Sequence, residues 1–375
     1  MKFLYIIPLH LMLLLSCSSH ESGTINEIKK IHFGKNDIRL SDSMKYRFVA
    51  LETGDNCLIG HINRVEVFDN RIFVHDAYAA KSLFVFDAGG RFITQVGSKG
   101  DGPENYIVPH GFEIDRENRR IIVSDSDRKR LIFYDLDTYK YIMHKNCPVE
   151  YIGLFASKNR FYFFSHFGFD KSRDDNYILV TDTLFKPVFK DWKCNFKAYR
   201  FLTVSQESIY NINSRVFAYH HLQPYLYEIT GSNCKIHARL SFEGFTFPAL
   251  DFSADPASFQ YMDKLDNSPR EISAYGIYES NDLLFIQLII GKQPCFAIHH
   301  KTTNTSSVFS GKDFIDSAGL GIAVFPVGAT DEEIICRITA SRRINREKIK
   351  DPAFAEIAAN MQEDDNPVLC FFKWK

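Results

Sequence analysis

The sequence has almost no net charge, and this limits the partners it can have. Its 45 Lys and Arg residues nearly balance 46 Asp and Glu residues, which leaves a formal net charge of -1 at pH 7. A general nucleic-acid-binding protein needs a basic surface that neutralises phosphates. The composition therefore argues against a nucleic-acid partner.

The common catalytic and metal-binding motifs are also missing from the sequence. None of the eight cysteines forms a C-x-x-C pair, and no H-E-x-x-H, G-x-S-x-G or P-loop pattern occurs. Neighbouring residues on a strand point to opposite faces, so the pairs His220-His221 and His299-His300 are poorly placed to chelate one ion. The sequence predicts neither a metal nor another cofactor.

The sequence has one long hydrophobic run, which lies at the N-terminus. The run covers residues 3–15 and follows Lys2, and it is shorter than the roughly 20 residues that cross a bilayer. A positive start, a short apolar core and a small residue at its end are typical of a signal peptide. The sequence therefore predicts a signal peptide over residues 1–16.

The residues that end this run indicate a lipid anchor. Leu14-Leu15-Ser16-Cys17 resembles a bacterial lipobox, which predicts cleavage before Cys17 and lipidation of that cysteine. Ser18 favours the outer membrane, and several acyl chains anchor a protein stably. Residues 17–44 are then predicted to be a tether that carries a monomeric envelope protein. An ordinary secretory signal with an incidental cysteine is the alternative.

Beyond the tether, short apolar runs separated by turn residues predict an all-β fold. The 34 Phe and 18 Tyr residues suit pleated, half-buried strands. One unit of four strands covers residues 62–97, with a turn at Asp69-Asn70, and a second covers residues 111–143. In each of these two units, Asp residues that follow the second and third strands have nearly the same spacing. Four weaker copies follow.

The repeats predict a six-bladed β-propeller over residues 45–375. The sixth copy lacks a last strand, and a spare strand at residues 46–51 can complete it and close the ring. Insertions are expected at residues 245–272 and 344–365, the second containing one short amphipathic helix. Two packed β-sandwiches are the alternative architecture.

The stretch 67–135 resembles an NHL-type propeller repeat. The matching residues include Gly97-Ser98-Lys99-Gly100-Asp101-Gly102-Pro103 and the strand Gly111-Phe112-Glu113-Ile114-Asp115. The whole chain is similar to a family of bacterial 6-bladed β-propeller lipoproteins of unknown function, and its ending Asn366-Pro367-Val368-Leu369 matches that family. The resemblance implies the fold and the cell-envelope location, and it implies no established activity.

The loops between the second and third strands of the blades provide the candidate ligand-binding residues. Such loops converge at one end of a propeller's channel, where pockets form. Their side chains are polar, aromatic and mixed in charge, which suits a saccharide or a peptide. The predicted ligand-binding residues are His75, Asp76, Tyr78, Asp125, Asp127, Arg128, His166, Arg173 and His220.

Two functional hypotheses follow from these residues. The first is a non-catalytic outer-membrane lipoprotein whose propeller face binds a glycan, a peptide or a partner protein. The second is a propeller lyase or hydrolase that uses acids and histidines at the channel mouth, with His75, Asp76, Asp125 and His166 as the first candidates.

Overall fold

The computed structural model describes most of the predicted propeller and none of the predicted signal peptide. It covers residues 28–35, 38–149, 151, 153–157, 159–165, 176–193, 208–230, 232–248, 259–339 and 344–375. Cys17, His166 and Arg173 lie outside the described residues.

The described residues form short strands and a few short helices. The strands are, in chain order, β1 (Lys29–Phe33), β2 (Met44–Ala50), β3 (Arg64–Phe68), β4 (Arg71–Asp76), β5 (Ser82–Asp87), β6 (Phe92–Gln95), β7 (Gly111–Asp115), β8 (Arg120–Asp125), β9 (Arg130–Asp135), β10 (Tyr141–Asn146), β11 (Gly153–Ser157), β12 (Arg160–Phe164), β13 (Asn176–Asp182), β14 (Pro187–Lys193), β15 (Ile209–Ile212), β16 (Arg215–Tyr219), β17 (Tyr225–Thr230), β18 (Asn233–Phe242), β19 (Ala274–Glu279), β20 (Leu283–Ile290), β21 (Gln293–His300), β22 (Thr305–Ser310), β23 (Phe325–Ala329), β24 (Ile334–Ile338) and β25 (Val368–Trp374). The helices are α1 (Leu40–Ser43), α2 (Phe259–Asn267), α3 (Gly311–Ala318) and α4 (Pro352–Asn360).

These strands form six sheets, which are the blades of the propeller, and every strand pair in them is antiparallel except β1 with β18. Blades 1, 2, 3 and 5 contain β3–β6, β7–β10, β11–β14 and β19–β22, each in sequential order. Blade 4 contains β15–β18 with β1 added outside β18, and blade 6 has the order β2-β25-β24-β23. The prediction of a six-bladed β-propeller is confirmed.

Left-handed turn residues explain the tight hairpins inside the blades. Asp69 and Asn70 have φ values of 49° and 57°, and Asn213 and Ser214 have φ values of 50° and 61°. Two consecutive residues with positive φ form a turn whose twist matches that of the flanking strands. The Asp69-Asn70 turn was predicted from the sequence, and it joins the two innermost strands of blade 1.

The ring closes through the predicted pairing of the two ends of the propeller. β2 runs antiparallel to β25, with Met44 opposite Trp374 and Ala50 opposite Val368. Asn366, just before β25, is buried and its side-chain amide hydrogen-bonds the segment that leads from β2 to β3. Closure therefore rests on strand pairing and on one buried polar side chain.

Aromatic rings fill the interfaces between blades, which accounts for the aromatic-rich composition. The rings of Tyr219 and Tyr275 join blades 4 and 5, with centroids 5.1 Å apart. Those of Phe285 and Phe372 join blades 5 and 6 at 5.4 Å. Such pairs add about 0.5–1.5 kcal/mol each beyond their buried area, so they help hold the blades in a ring.

The structure differs from the sequence prediction mainly at the N-terminus and in the weaker repeats. β1 and α1 lie within residues 17–44, which were predicted to be a tether, because β1 pairs in parallel with β18. Blade 4 begins at β15, whereas its first strand was predicted at residues 201–204, outside the described residues. β11, β19, β22 and β23 were not predicted as strands.

The C-terminal insertion contains a helix, as predicted. α4 begins after Asp351, whose carboxylate accepts hydrogen bonds from the backbone amides of Ala353 and Phe354. Phe354 and Ala358, one turn apart, are buried against blade 6. The sequence did not predict α3, which connects blades 5 and 6, or α2.

Candidate functional site: the central channel

A concave site among the described residues is the channel along the propeller axis. It has a volume of about 450 Å³ and is lined by residues of all six inner strands, β3, β7, β11, β15, β19 and β23. Each of these strands lies at the edge of its sheet, so the backbone on one side of the strand is not paired with another strand of its blade. The channel therefore combines side chains with backbone N–H and C=O groups.

An ionic cluster on two neighbouring inner strands lies in this channel. The Arg64 guanidinium, on β3, pairs with the carboxylate of Glu66 on the same strand and with that of Glu113 on β7 at 3.0 Å. It also donates a 2.6 Å hydrogen bond to the carbonyl of Phe112. One cation thus holds two carboxylates, which leaves the cluster of these three side chains with a net negative charge.

A second polar group lies on the inner strands of blades 4 and 5. The hydroxyl of Tyr210 donates a 2.6 Å hydrogen bond to Glu279, and the Lys301 ammonium lies 2.6 Å from the same carboxylate. Burial, and next to it the charge of Glu279, raises the pKa of Tyr210 well above its usual range. Tyr210 is therefore a neutral donor that holds Glu279 in place.

Aromatic side chains form much of the remaining channel wall. Tyr78 lines the channel and is 61% exposed, and its ring packs edge-to-face with that of His61, with centroids 5.9 Å apart. Tyr151 donates a 2.6 Å hydrogen bond to the hydroxyl of Ser124. Further lining residues are Phe155, Tyr219 and Tyr278. Flat aromatic faces beside carboxylates and a guanidinium can accept a ligand that has both apolar and hydrogen-bonding surfaces.

Of the seven predicted site residues that the structure describes, His75 and Tyr78 line this channel. His75 is fully buried, and its Nε2 contacts the carbonyl of Pro109. Burial lowers the pKa of His75 to about 4. Its imidazole is therefore neutral at neutral pH, which suits a structural hydrogen bond rather than proton transfer.

Asp76 and Asp125 are buried carboxylates that organise loops instead of facing the channel. Asp76 accepts hydrogen bonds from four backbone amides of two loops, at 2.8–3.2 Å. Asp125 is completely buried and pairs with the Arg130 guanidinium at 3.2 Å. Both side chains are 0% exposed, so neither presents a surface to the channel in this structure.

Three other predicted residues that the structure describes, His220, Asp127 and Arg128, do not line the channel. His220 is buried against the ring of His221, and burial lowers its pKa well below its usual range. Asp127 lies on the surface, 3.7 Å from His110, which does line the channel. Arg128 donates to the carbonyl of Gly100 and pairs with Asp101, so it holds the glycine-rich loop.

Sequence reasoning missed the charged residues of the inner strands. Arg64, Glu66, Glu113 and Glu279 were not among the predicted site residues, although all four line the channel. A usable signal exists in the sequence, since these charges sit in the first strand of a blade among apolar neighbours, as in Arg64-Val65-Glu66-Val67. A charge at such a position must be paired or exposed to a water-filled space.

The described residues contain no group of three or more His, Cys, Asp or Glu side chains that could hold a metal ion. In the same part of the chain, no helix is long and apolar enough to cross a membrane.

Comparisons with known proteins agree with this architecture. A family model described as 6-bladed beta-propeller matches residues 16–337. The fold is similar to the crystal structure of a Bacteroides fragilis protein provisionally assigned as exported, with 24% identity and a TM-score of 0.85 over 92% of this chain and 100% of that one. It is also similar to a member of the DUF4221 family from Bacteroides vulgatus, with 11% identity and a TM-score of 0.54 over 89% of this chain and 99% of that one. No curated protein matches the sequence. At these identities the similarity of the structures establishes the fold alone.

Proposed function

Since the chain belongs to the 6-bladed beta-propeller family, we propose that it is a non-catalytic binding protein whose central channel holds a small saccharide. The observation that carries the proposal is the cluster of Arg64, Glu66 and Glu113 in a channel that is lined in part by aromatic side chains. Carboxylates and a guanidinium hydrogen-bond the hydroxyls of a sugar, while aromatic faces pack against its C–H groups. The volume of about 450 Å³ lies within the range of small-ligand sites.

The catalytic alternative has less support from the geometry. General acid–base chemistry needs a side chain that reaches the substrate and exchanges a proton near the working pH. Asp76 is buried and binds backbone amides, Asp125 is buried and pairs with Arg130 through one of its oxygens, and burial lowers the pKa of His75 to about 4. The three described residues that were first candidates for catalysis are therefore poorly suited to that role.

A ligand screen with channel variants tests the binding function. The chain from Ser18 onward is melted with a panel of mono- and disaccharides and with short peptides, because a ligand that binds the folded state raises the melting temperature. We expect a saccharide to raise it, and Glu66→Gln to weaken the binding of that saccharide at least about tenfold by removing one charge-assisted hydrogen bond.

Glu356→Gln is the matched control, because Glu356 is an exposed residue of α4 and the substitution is the same. We expect Glu356→Gln to bind the saccharide with the same affinity as the wild-type protein. If only peptides raise the melting temperature, the ligand is a peptide and the saccharide proposal is wrong. If the ligand raises the melting temperature of Glu66→Gln and of Tyr78→Ala as much as that of the wild-type protein, the ligand does not bind in the channel.

The second part of the proposal is that the protein is an exported lipoprotein, anchored at the outer membrane through Cys17. The short apolar run and Ser16-Cys17 support it, as does the similarity to a protein provisionally assigned as exported. We expect Cys17→Ser to move the protein from the membrane fraction to the soluble envelope fraction, as measured by fractionation at high salt, which screens any charge contacts between the protein and the membrane. A Cys57→Ser control, which changes a buried cysteine of the fold, should stay with the membrane. Membrane attachment of Cys17→Ser would contradict the lipid anchor.

A further inference from the structure

The added strand β1 places like charges side by side at the outer edge of blade 4. β1 pairs in parallel with β18, and Lys30 lies directly opposite Arg239. Both residues are exposed. Neighbouring strands are roughly 4.8 Å apart, so two cations in register repel each other and destabilise the pairing. A favourable interaction outside the blade would offset this repulsion.

Two further cations extend this edge, which we call the basic edge and define as Lys29, Lys30, Lys235 and Arg239. Within the described part of the chain, neither Lys29, Lys30 nor Arg239 forms an ion pair with a carboxylate. Lys235 lies 3.9 Å from Glu228, which is already paired with Arg215 at 2.8 Å. The whole chain has a net charge of -1, so the basic edge is a local concentration of positive charge.

We propose that the basic edge docks on a membrane surface that carries anionic phosphate headgroups. Lysine and arginine close to such a surface are attracted by its negative potential. The position of the basic edge close to the N-terminus also agrees with a membrane as the partner. This one argument rests on the proposed lipidation of Cys17. Residues 18–28 number eleven and can span at most about 40 Å, so the anchor keeps the edge of blade 4 near the bilayer.

This docking fixes the orientation of the channel. In blade 4 the inner strand β15 lines the channel and β1 is the strand farthest from it. A membrane in contact with β1 therefore lies beside the propeller, and the channel axis runs parallel to the membrane plane. Both channel mouths remain open to solvent.

Vesicle co-sedimentation tests the basic edge without the lipid anchor. The chain from Ser18 onward keeps every described strand and helix and lacks Cys17, so failure of the lipidation proposal does not affect the result. We expect it to bind vesicles that contain phosphatidylglycerol and not vesicles of phosphatidylcholine alone. Each cation near an anionic surface contributes about fivefold, so Lys30→Glu with Arg239→Glu should lower the partition coefficient at least about 30-fold.

The matched control carries the same change of charge elsewhere. Lys99→Glu with Lys140→Glu reverses one exposed lysine in the segment between blades 1 and 2 and one in blade 2, and we expect this variant to bind the anionic vesicles nearly as well as the wild-type protein. If both double variants lose vesicle binding equally, the binding depends on the overall charge of the protein, and the proposal is wrong. Binding to neutral vesicles, or no binding to anionic vesicles at low salt, would overturn it as well.

Discussion

Replacing Asn366 by alanine is expected to lower the free energy of unfolding by about 4 kcal/mol. The Asn366 side chain accepts a 2.8 Å hydrogen bond from the amide of Ile59 and donates to the carbonyls of Glu52 and Cys57 at 2.6 and 2.7 Å. Asn366 is only 2% exposed. Alanine therefore leaves backbone groups unpaired inside the ring closure, and each such group costs roughly 1–3 kcal/mol.

Urea unfolding at pH 7 measures this loss. Asn360→Ala is the control, since Asn360 is an exposed residue at the end of α4 and its amide donates only to the carbonyl of Glu356. We expect the control to change the stability by no more than about 0.5 kcal/mol. Asn366→Asp keeps the acceptor oxygen and loses the two donors, so it should be destabilised as well. A stability of Asn366→Ala equal to that of the control would contradict this role in closure.

Replacing Arg64 by methionine is expected to destabilise the protein by about 2–3 kcal/mol, because its side chain is 21% exposed and the cost lies between that of an exposed ion pair and that of a fully buried one. The Glu113 side chain is 5% exposed and that of Glu66 is 15% exposed. Without the guanidinium, two negative charges would face each other inside the channel. The loss should appear in urea unfolding, and binding of a channel ligand should weaken as well.

A second substitution separates charge from packing. Adding Glu113→Gln to Arg64→Met removes one of the two carboxylates, and we expect part of the lost stability to return. Arg91→Met is the control, because Arg91 forms an ion pair with Asp87 at 2.8 Å while its side chain is 85% exposed, and exposed pairs contribute at most about 1 kcal/mol. If Arg64→Met lowers the free energy of unfolding no more than Arg91→Met does, the guanidinium of Arg64 does not stabilise the cluster.

The candidate site was harder to predict than the fold. The sequence analysis chose polar residues of the loops between second and third strands, and of these the structure places His75 and Tyr78 at the channel. Asp76 was chosen because it is a carboxylate in such a loop, yet four backbone amides already occupy its oxygens. Loop carboxylates often satisfy the turn itself, and a sequence does not distinguish them from carboxylates that meet a ligand.

The sequence by itself determined the repeated four-stranded unit and the way the ring closes. Apolar runs of four to six residues, separated by turns such as Asp69-Asn70, specify hairpins between neighbouring strands, and the contacts within a hairpin are local. The spare strand at residues 46–51 and the last strand of the sixth unit indicated their pairing, since a closed ring leaves no blade incomplete.

Only the tertiary structure decided which distant residues meet. Lys30 lies beside Arg239, Arg64 bridges to Glu113, and Asn366 binds the segment before β3. These contacts join residues that are 49 to more than 300 positions apart. They depend on how the blades are arranged around the axis, and no local pattern of residues records that arrangement. The channel cluster and the basic edge therefore became visible only in the folded ring.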